Sequence, residues 1–287
     1  MSRDLPMTGE QSGATAPRAI PDLTAILVVA GAAWRELARR RRLFSLGLLL
    51  LLPVVLLLAV SLWYPGVAPG DLLLNLLARN VYIPFLLPIV AMALGAPAIS
   101  EPIAEGTLVY FWTRPLNRRA LYLGRLLAAA LVACGLVVLS LAAVLITLIA
   151  GGFGGLSLDV MRMYAELTVV TLLGTVAYTA VFGCFGAGFK RPLVPALLLV
   201  FGWENMVADI PQRIQEWTLR FHLRNLVHWP DAKPTDLRGI LEELVGRILV
   251  RPPVPVWQSV LILLVIIAVS TVVGTYLLRR RQLDRQE

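Results

Sequence analysis

Charged side chains are scarce in this 287-residue chain, and several reactive residue types are almost missing. Only 15% of the residues are charged and 58% are hydrophobic, whereas a soluble domain is about a quarter charged. The two histidines, His222 and His228, and the two cysteines, Cys134 and Cys184, show no metal-ligand spacing. The shortage of charge excludes a water-soluble globular fold, and the sequence predicts neither a metal site nor a bound cofactor.

Lysine occurs only at Lys190 and Lys233, so the chain contains no Gly-Lys pair. A Walker A phosphate loop requires that lysine to reach the phosphates of ATP. Ser140 lies in the third apolar run without an accompanying intramembrane His or Asp, which an intramembrane hydrolase would need. We therefore expect a protein that is not an enzyme and that has no ATPase site of its own.

Long apolar runs dominate what is present. A membrane-crossing helix needs about 20 mostly apolar residues, and five runs reach that length, while a sixth, shorter run contains Glu204. The predicted fold class is all-α: a polytopic membrane protein with one transmembrane domain (23–280), between a disordered cytoplasmic N-terminus (1–22) and a cytoplasmic tail (281–287). The six predicted transmembrane helices cover about 43–63, 76–99, 121–149, 166–189, 192–208 and 257–278.

Arginine clusters indicate the orientation of a chain whose net charge is +8. They stand before the first run (Arg39–Arg42), after the second (ending at Arg125), after the fourth and after the last. Because Arg and Lys mark the cytoplasmic side, six crossings place all four clusters inside, whereas five place the last one outside. Seven Arg and Lys between 209 and 251 run against this orientation. We expect a multi-pass protein of the bacterial inner membrane with both termini cytoplasmic, an external loop at 209–256, and arginines that bind lipid headgroups and not nucleic acid.

Two stretches outside the spans are amphipathic. Residues 25–42 begin apolar and end in WRELARRRR, which predicts a helix in the plane of the cytoplasmic leaflet. Residues 212–227 of the external loop leave two alternatives open, a helix on the outer leaflet or one that caps the spans. Trp217, Trp229 and Trp257 suit an interfacial belt, with helix packing as the alternative.

The second and fifth predicted spans contain candidates for a translocation path or gate. Pro84 and Pro88 interrupt the hydrogen-bond ladder of the second span, which makes it a candidate moving helix or a statically bent one. Glu204, followed by Asn205, is the one acid in the interior of a predicted span and a candidate substrate contact. Small residues predict close helix packing at Gly183, Gly186 and Gly188.

Residues 99–125, ISEPIAEGTLVYFWTRPLNRRALYLGR, form the most polar cytoplasmic connection. Ser100 suits a helix start and Pro115 a helix end, which predicts a short helix at about 101–113 outside the membrane. Glu101 and Glu105 are four residues apart and repel each other, so we expect a basic partner from the following arginines or from another protein. The residues alone leave open whether this is a docking segment or a solvated loop.

The string S-E-x-x-x-E-G-T-L…T-R-P-L-x-R-R-x-L-x-L-G-R resembles the ABC-2 family of exporter permeases, and the resemblance extends over roughly residues 25–280. It implies that a coupling helix between the second and third spans inserts into a groove of a separate ATPase. Trp203-Glu204-Asn205 and the later RFHLRNL are similar to one subgroup, while Pro102 departs from the family pattern. The residues that match the coupling motif are Glu101, Glu105, Gly106, Thr107, Arg114, Pro115, Arg118 and Gly124.

The resemblance implies a permease subunit of an ATP-binding cassette exporter. Its expected partners are a cytoplasmic P-loop ATPase in two copies, which would hold ATP and Mg²⁺, a second permease subunit in a homodimer or heterodimer, and membrane lipids. Two other classes stay open. A secondary transporter or channel would show inverted repeats and mid-membrane ionisable groups. A membrane scaffold would serve the maturation of an extracytoplasmic enzyme, such as a copper enzyme.

Overall fold

The computed structural model describes residues 22–38, 41–63, 70–104, 118–151, 157–207, 213–227 and 254–283. The regular structure in these ranges is helical, which confirms the predicted all-α class. Two π-helical segments (Ala78–Leu86 and Leu198–Glu204) and one 3-10 turn (Arg213–Trp217) accompany the α-helices. The α-helices are α1 (Asp22–Ala38), α2 (Arg41–Leu50), α3 (Leu52–Trp63), α4 (Gly70–Leu77), α5 (Leu87–Ala104), α6 (Arg118–Ala150), α7 (Leu158–Gly188), α8 (Leu193–Leu197), α9 (Asn205–Val207), α10 (Leu219–Leu226) and α11 (Val256–Leu283).

Among the described residues, five helices are long and apolar enough to cross a membrane. They are Arg42–Ala59, Leu73–Ala104, Arg119–Ala150, Val160–Gly188 and Val256–Arg280. The predicted span 192–208 corresponds to a shorter apolar helix, Leu193–Glu204. At 1.5 Å per residue that helix is about 18 Å long, which is too short to cross a hydrocarbon core of about 30 Å unaided.

The arginine-flanked ends of the helices lie together at one end of the bundle, which we call the basic end. Arg42 pairs there with Glu101, and Arg125 pairs with Glu36 at 2.7 Å. The end of α5, the start of α6, the end of α7 and the end of α11 meet in one apolar cluster, whose buried members are Ile99, Tyr122, Leu126, Ala187 and Leu278.

The short helix Leu193–Glu204 leads away from the basic end. It follows the end of α7, and its last residue, Glu204, bonds to the first turn of α10. Ser259, near the start of α11, bonds to His222 of the same helix. Because α11 ends at the basic end, α10 lies towards the opposite end of the bundle, which we call the far end.

The second and fourth candidate spans form the core. They are 72% and 67% buried, whereas the first and last are only 22% and 11% buried. Glycine allows α5 and α7 to approach closely, because a Cβ atom on Gly186 would lie 2.5 Å from the Ala96 carbonyl oxygen and one on Gly95 would lie 2.9 Å from that of Thr179. A Cβ atom on Gly183 would lie 2.6 Å from the Leu126 Cδ1, and one on Gly188 would lie 3.2 Å from the Leu277 Cδ1. The close packing predicted at Gly183, Gly186 and Gly188 is therefore confirmed.

Two of the three tryptophans predicted for an interfacial belt are exposed, and their position relative to a membrane surface stays a prediction. Trp217 is 80% exposed and Trp257 is 67% exposed, beside α10 and at the start of α11. Trp229 lies outside the described residues.

Candidate coupling and gating sites

The predicted coupling residues fall on both sides of an undescribed segment. Glu101 lies in the last turn of α5, and Gly124 lies near the start of α6. Glu105, Gly106, Thr107, Arg114 and Pro115 lie outside the described residues, as does the side chain of Arg118.

Glu101 has a basic partner on the first span. The Arg42 guanidinium donates to its carboxylate from Nη1. Both side chains are partly open to solvent, 56% exposed for Arg42 and 23% for Glu101. The sequence predicted a basic partner among the arginines that follow Glu101 or on another protein, whereas this partner lies 59 positions earlier in the chain.

The expected helix start at Ser100 is wrong, because α5 continues through Ser100 and Pro102 to Ala104. Proline has no backbone N–H, so Pro102 cannot donate to the carbonyl oxygen of Ala98 four residues earlier. The Arg125 Nε donates to that oxygen instead, at 2.8 Å. The residue that departs from the family pattern thus leaves an acceptor that a neighbouring helix uses.

Arg125 joins three helices at the basic end. Its Nε bonds to α5, and its Nη2 donates to Oε2 of Glu36 on α1 at 2.7 Å. The side chain is only 11% exposed. Arginine suits this position because its planar guanidinium presents donors in two directions at once. The sequence marks Arg125 as a topology-determining charge and gives no sign of these two bonds.

Gly124, the neighbour of Arg125, determines how closely α1 approaches α6. A Cβ atom there would lie 2.8 Å from the Ile26 carbonyl oxygen and 2.8 Å from the Val29 Cβ. The matched motif residue therefore makes room for the N-terminal helix, and α1 is fixed to the start of α6.

The prolines of the second span lie where its helix changes type. Pro84 is inside the π-helical segment Ala78–Leu86, and Pro88 is in the first turn of α5, with both side chains buried. A wider helical turn accommodates the carbonyl groups that proline leaves without a donor, and π-helical turns are frequent at functional sites.

Ser140 has a structural contact that explains its place inside the bundle. Its hydroxyl donates to the Leu50 carbonyl oxygen at 2.7 Å and lies 2.8 Å from the Tyr82 hydroxyl. These bonds join α6 to the break between α2 and α3 and to the π-helical segment of the second span.

Glu204 is 2% exposed, and both of its carboxylate oxygens accept hydrogen bonds inside the protein. Its Oε1 accepts from the Leu219 N–H at 3.0 Å. Its Oε2 accepts from the Arg220 N–H at 2.9 Å and from the Tyr178 hydroxyl at 3.1 Å. The carboxylate therefore caps the first turn of α10, where the helix dipole favours a negative group.

Asn205 extends this contact. Its Oδ1 accepts from Nη1 of Arg220 at 2.9 Å, and its Nδ2 donates to the Val200 carbonyl oxygen at 3.0 Å. Trp203-Glu204-Asn205 and RFHLRNL, which the sequence shows as separate stretches, meet in one hydrogen-bonded cluster. Of the two alternatives for residues 212–227, the outer leaflet does not hold for the helix α10, which packs among the spans, since Arg220, His222 and Leu223 are buried.

His222 connects α10 to α11. Its Nε2 lies 2.8 Å from the Glu216 carbonyl oxygen, which can only accept, so Nε2 carries the proton. The Ser259 hydroxyl then donates to Nδ1 at 3.2 Å. Burial lowers the pKa of His222, in agreement with a neutral ring. Ser259 is 0% exposed, so this Ser–His contact is buried when α10 is docked.

These features define an all-helical, polytopic membrane protein. Its basic end is held by ion pairs, and a buried polar cluster lies towards its far end. A sequence profile described as ABC-2 family transporter protein matches residues 27–283. The chain therefore belongs to this family, which confirms the resemblance carried by residues 99–125, and it is a membrane component of an ABC transporter. No curated protein gives a significant match to the chain.

Proposed function

We propose that this chain is the permease subunit of an ATP-binding cassette exporter of the bacterial inner membrane, driven by a separate P-loop ATPase. The observation that carries the proposal is the anchoring of both ends of the 105–117 segment. Glu101 holds the end of α5 to Arg42, and Arg125 holds the start of α6 to α5 and α1. Movement of that segment would therefore reach the first three candidate spans and α1 together.

Six crossings with both termini cytoplasmic are part of this proposal. Two observations support them: α7 and α11 both end at the basic end, and Leu193–Glu204 leads away from it. The remaining distance to the far surface would be covered by residues that follow Glu204. The positive-inside rule then makes the basic end cytoplasmic, with α1 in the plane of that leaflet.

We also propose a second permease subunit, in a homodimer or heterodimer, and two ATPase copies. The first and last candidate spans support this part because most of their apolar surface is exposed. Lipid chains and a second subunit would cover those faces in a membrane.

The coupling residues take different parts in this proposal. Arg42 already holds Glu101, so we assign the contact with the ATPase to Glu105, four residues further along. Arg114 and Arg118 would fix the segment against the spans or the headgroups. Pro84, Pro88, Glu204 and Asn205 would serve the translocation path or its gate.

Affinity purification of the tagged chain in mild detergent, followed by mass spectrometry and an ATPase assay, tests the proposal. We expect a stoichiometric P-loop ATPase and ATP hydrolysis in the purified sample. Glu105→Arg should reduce both. Glu166→Arg makes the same charge change towards the far end, where Glu166 pairs with Arg162 at 3.3 Å, and should leave both unchanged.

The other classes predict different results. Recovery of the chain alone, without ATPase activity, would favour a secondary transporter or channel. Recovery with an extracytoplasmic enzyme whose maturation fails in its absence would favour a scaffold. Equal ATPase recovery with Glu105→Arg and Glu166→Arg would overturn the coupling role of residues 105–117.

A further inference from the structure

The helix α10 is short and packs against longer helices. It has eight residues, whereas isolated helices below about 12–15 residues are marginal in water. Its helical state therefore depends on the contacts that its two sides and its first turn make with other helices.

The first attachment of α10 is at its N-terminus. A helix start leaves backbone N–H groups without intrahelical partners. Glu204 accepts from two of them, those of Leu219 and Arg220. The Thr218 hydroxyl oxygen accepts from a third, that of Phe221, at 3.2 Å. Tyr178 on α7 bonds to the same carboxylate, so this attachment joins α10 to the fourth span and the short helix.

The second attachment is on the side of α10 that faces the last span. His222 accepts from Ser259, and the Asn225 Nδ2 donates to the Ser259 hydroxyl oxygen at 2.9 Å and to the Val254 carbonyl oxygen at 2.6 Å. One buried serine near the start of α11 thus receives two side chains of α10.

Between the two attachments, Leu223 enters the bundle. Leu223 is 0% exposed. A Cβ atom on Gly174 would lie 2.9 Å from the Leu223 Cδ1 and 3.1 Å from the Leu87 Cδ1. Gly174 and Leu87 are each fourteen residues from the far ends of their candidate spans, Val160 and Leu73, or about 21 Å along each helix. α10 therefore lies inside the bundle and not above it.

We propose that α10 is a two-point latch that closes the bundle towards its far end, with Glu204 as the positioning residue on one side and Ser259 on the other. Undocking removes the contacts that keep eight residues helical, so the latch has two states, a docked helix and a released segment. The π-helical segments Ala78–Leu86 and Leu198–Glu204 both adjoin α10. The latch is a property of this chain, and its use in transport rests on the proposed function.

Cysteine accessibility in lipid nanodiscs tests the latch without any partner protein. The parent protein carries Leu223→Cys, with Cys134 and Cys184 replaced by alanine. The rate at which its single cysteine reacts with a maleimide is measured. We expect slow labelling in this parent and a rise of about tenfold with Glu204→Ala, because three donors lose their acceptor. Glu204→Gln should be intermediate, because an amide retains one acceptor oxygen.

A matched position separates release of the latch from general unfolding. Ala187 is 0% exposed and lies at the basic end, so Ala187→Cys should stay protected in every variant. Equal labelling of Leu223→Cys in the parent and in the Glu204→Ala variant, with Ala187→Cys protected, would overturn the latch. If Glu204→Ala does not fold, Tyr178→Phe and Ser259→Ala replace it, and labelling unchanged in both would also overturn the latch.

A further arm separates the latch from the proposed function. In native membranes, MgATP should speed labelling of Leu223→Cys in the parent if transport opens the latch. If MgATP has no effect while Glu204→Ala still raises labelling, the latch stands and its role in ATP-driven transport is refuted.

Discussion

The two ends of the helix bundle hold their acidic groups in different ways. At the basic end, Glu101 and Glu36 pair with arginines from other helices and remain partly exposed. At the far end, Glu204 is 2% exposed and accepts mainly from backbone N–H groups. Exposed pairs contribute little and can exchange partners, whereas a buried charge is costly to leave unpaired. Removal of the acid should therefore cost more stability at the far end than at the basic end.

The largest effect should come from the helix pair that connects the two ends. Gly186→Val would place a branched side chain against the carbonyl oxygen of Ala96, and we expect a loss of about 3 kcal/mol or more in stability. Fluorescence-detected size-exclusion chromatography with a heating step measures it. Gly135→Val is the control, because no atom lies within 4 Å of a Cβ there. Equal melting temperatures for the two variants would show that α5 and α7 can move apart without loss of stability. The two ends could then not be compared as parts of one rigid helix pair.

Alanine at one acid of each end tests the comparison directly. Glu204→Ala leaves two backbone N–H groups and the Tyr178 hydroxyl without their acceptor, for an expected loss of about 2–4 kcal/mol. Glu101→Ala should cost less than about 1 kcal/mol, because its partner Arg42 is 56% exposed. Thermal melting in the same detergent compares them. Equal shifts would mean that burial does not distinguish the two ends.

Much of this architecture could be predicted from the sequence because bilayer-spanning helices require long apolar runs. The arginine-flanked ends of those runs do meet at one end, through Arg42, Arg125 and the end of α11. The helix start expected at Ser100 was wrong because α5 continues through Pro102, which the sequence does not reveal. A proline in the last turn removes one N–H and leaves the helix intact when another donor, here Arg125, reaches the freed oxygen.

The far-end cluster was only partly predictable. Polar residues in an oily chain marked Glu204 and Asn205 as unusual, and Thr218 is a good helix-capping residue. The bonds that matter join Glu204 to residues 15 and 16 positions later, across a reversal of chain direction that periodicity does not encode. Ser259 gave no signal at all, since a single serine at the start of an apolar helix is common.

Within the basic end, the two arginines should differ. Arg125→Ala removes a bond to the Ala98 carbonyl oxygen and one to Glu36 from a side chain that is 11% exposed, and we expect a loss of about 1–3 kcal/mol. Arg42→Ala should cost less than about 1 kcal/mol. Melting temperatures measure both. Arg125→Lys should not restore stability, because an ammonium group lacks the planar fork that serves two acceptors. Full rescue by lysine would reduce Arg125 to a simple point charge.

The smallest effect should be a pH dependence at the far end. Burial lowers the pKa of His222 below the value of about 6.5 for an unfolded histidine. Above that pH both states are neutral and His222 contributes nothing to the slope. As the pH falls below it, the unfolded chain binds a proton that the folded one resists, so stability decreases. His222→Gln should flatten this part of the profile. Carboxylates, including Glu204 and Glu216, are common to the parent and to His222→Gln, so they contribute equally to both profiles. Identical slopes between pH 7.5 and 5.5 would show that folding does not lower the pKa of His222.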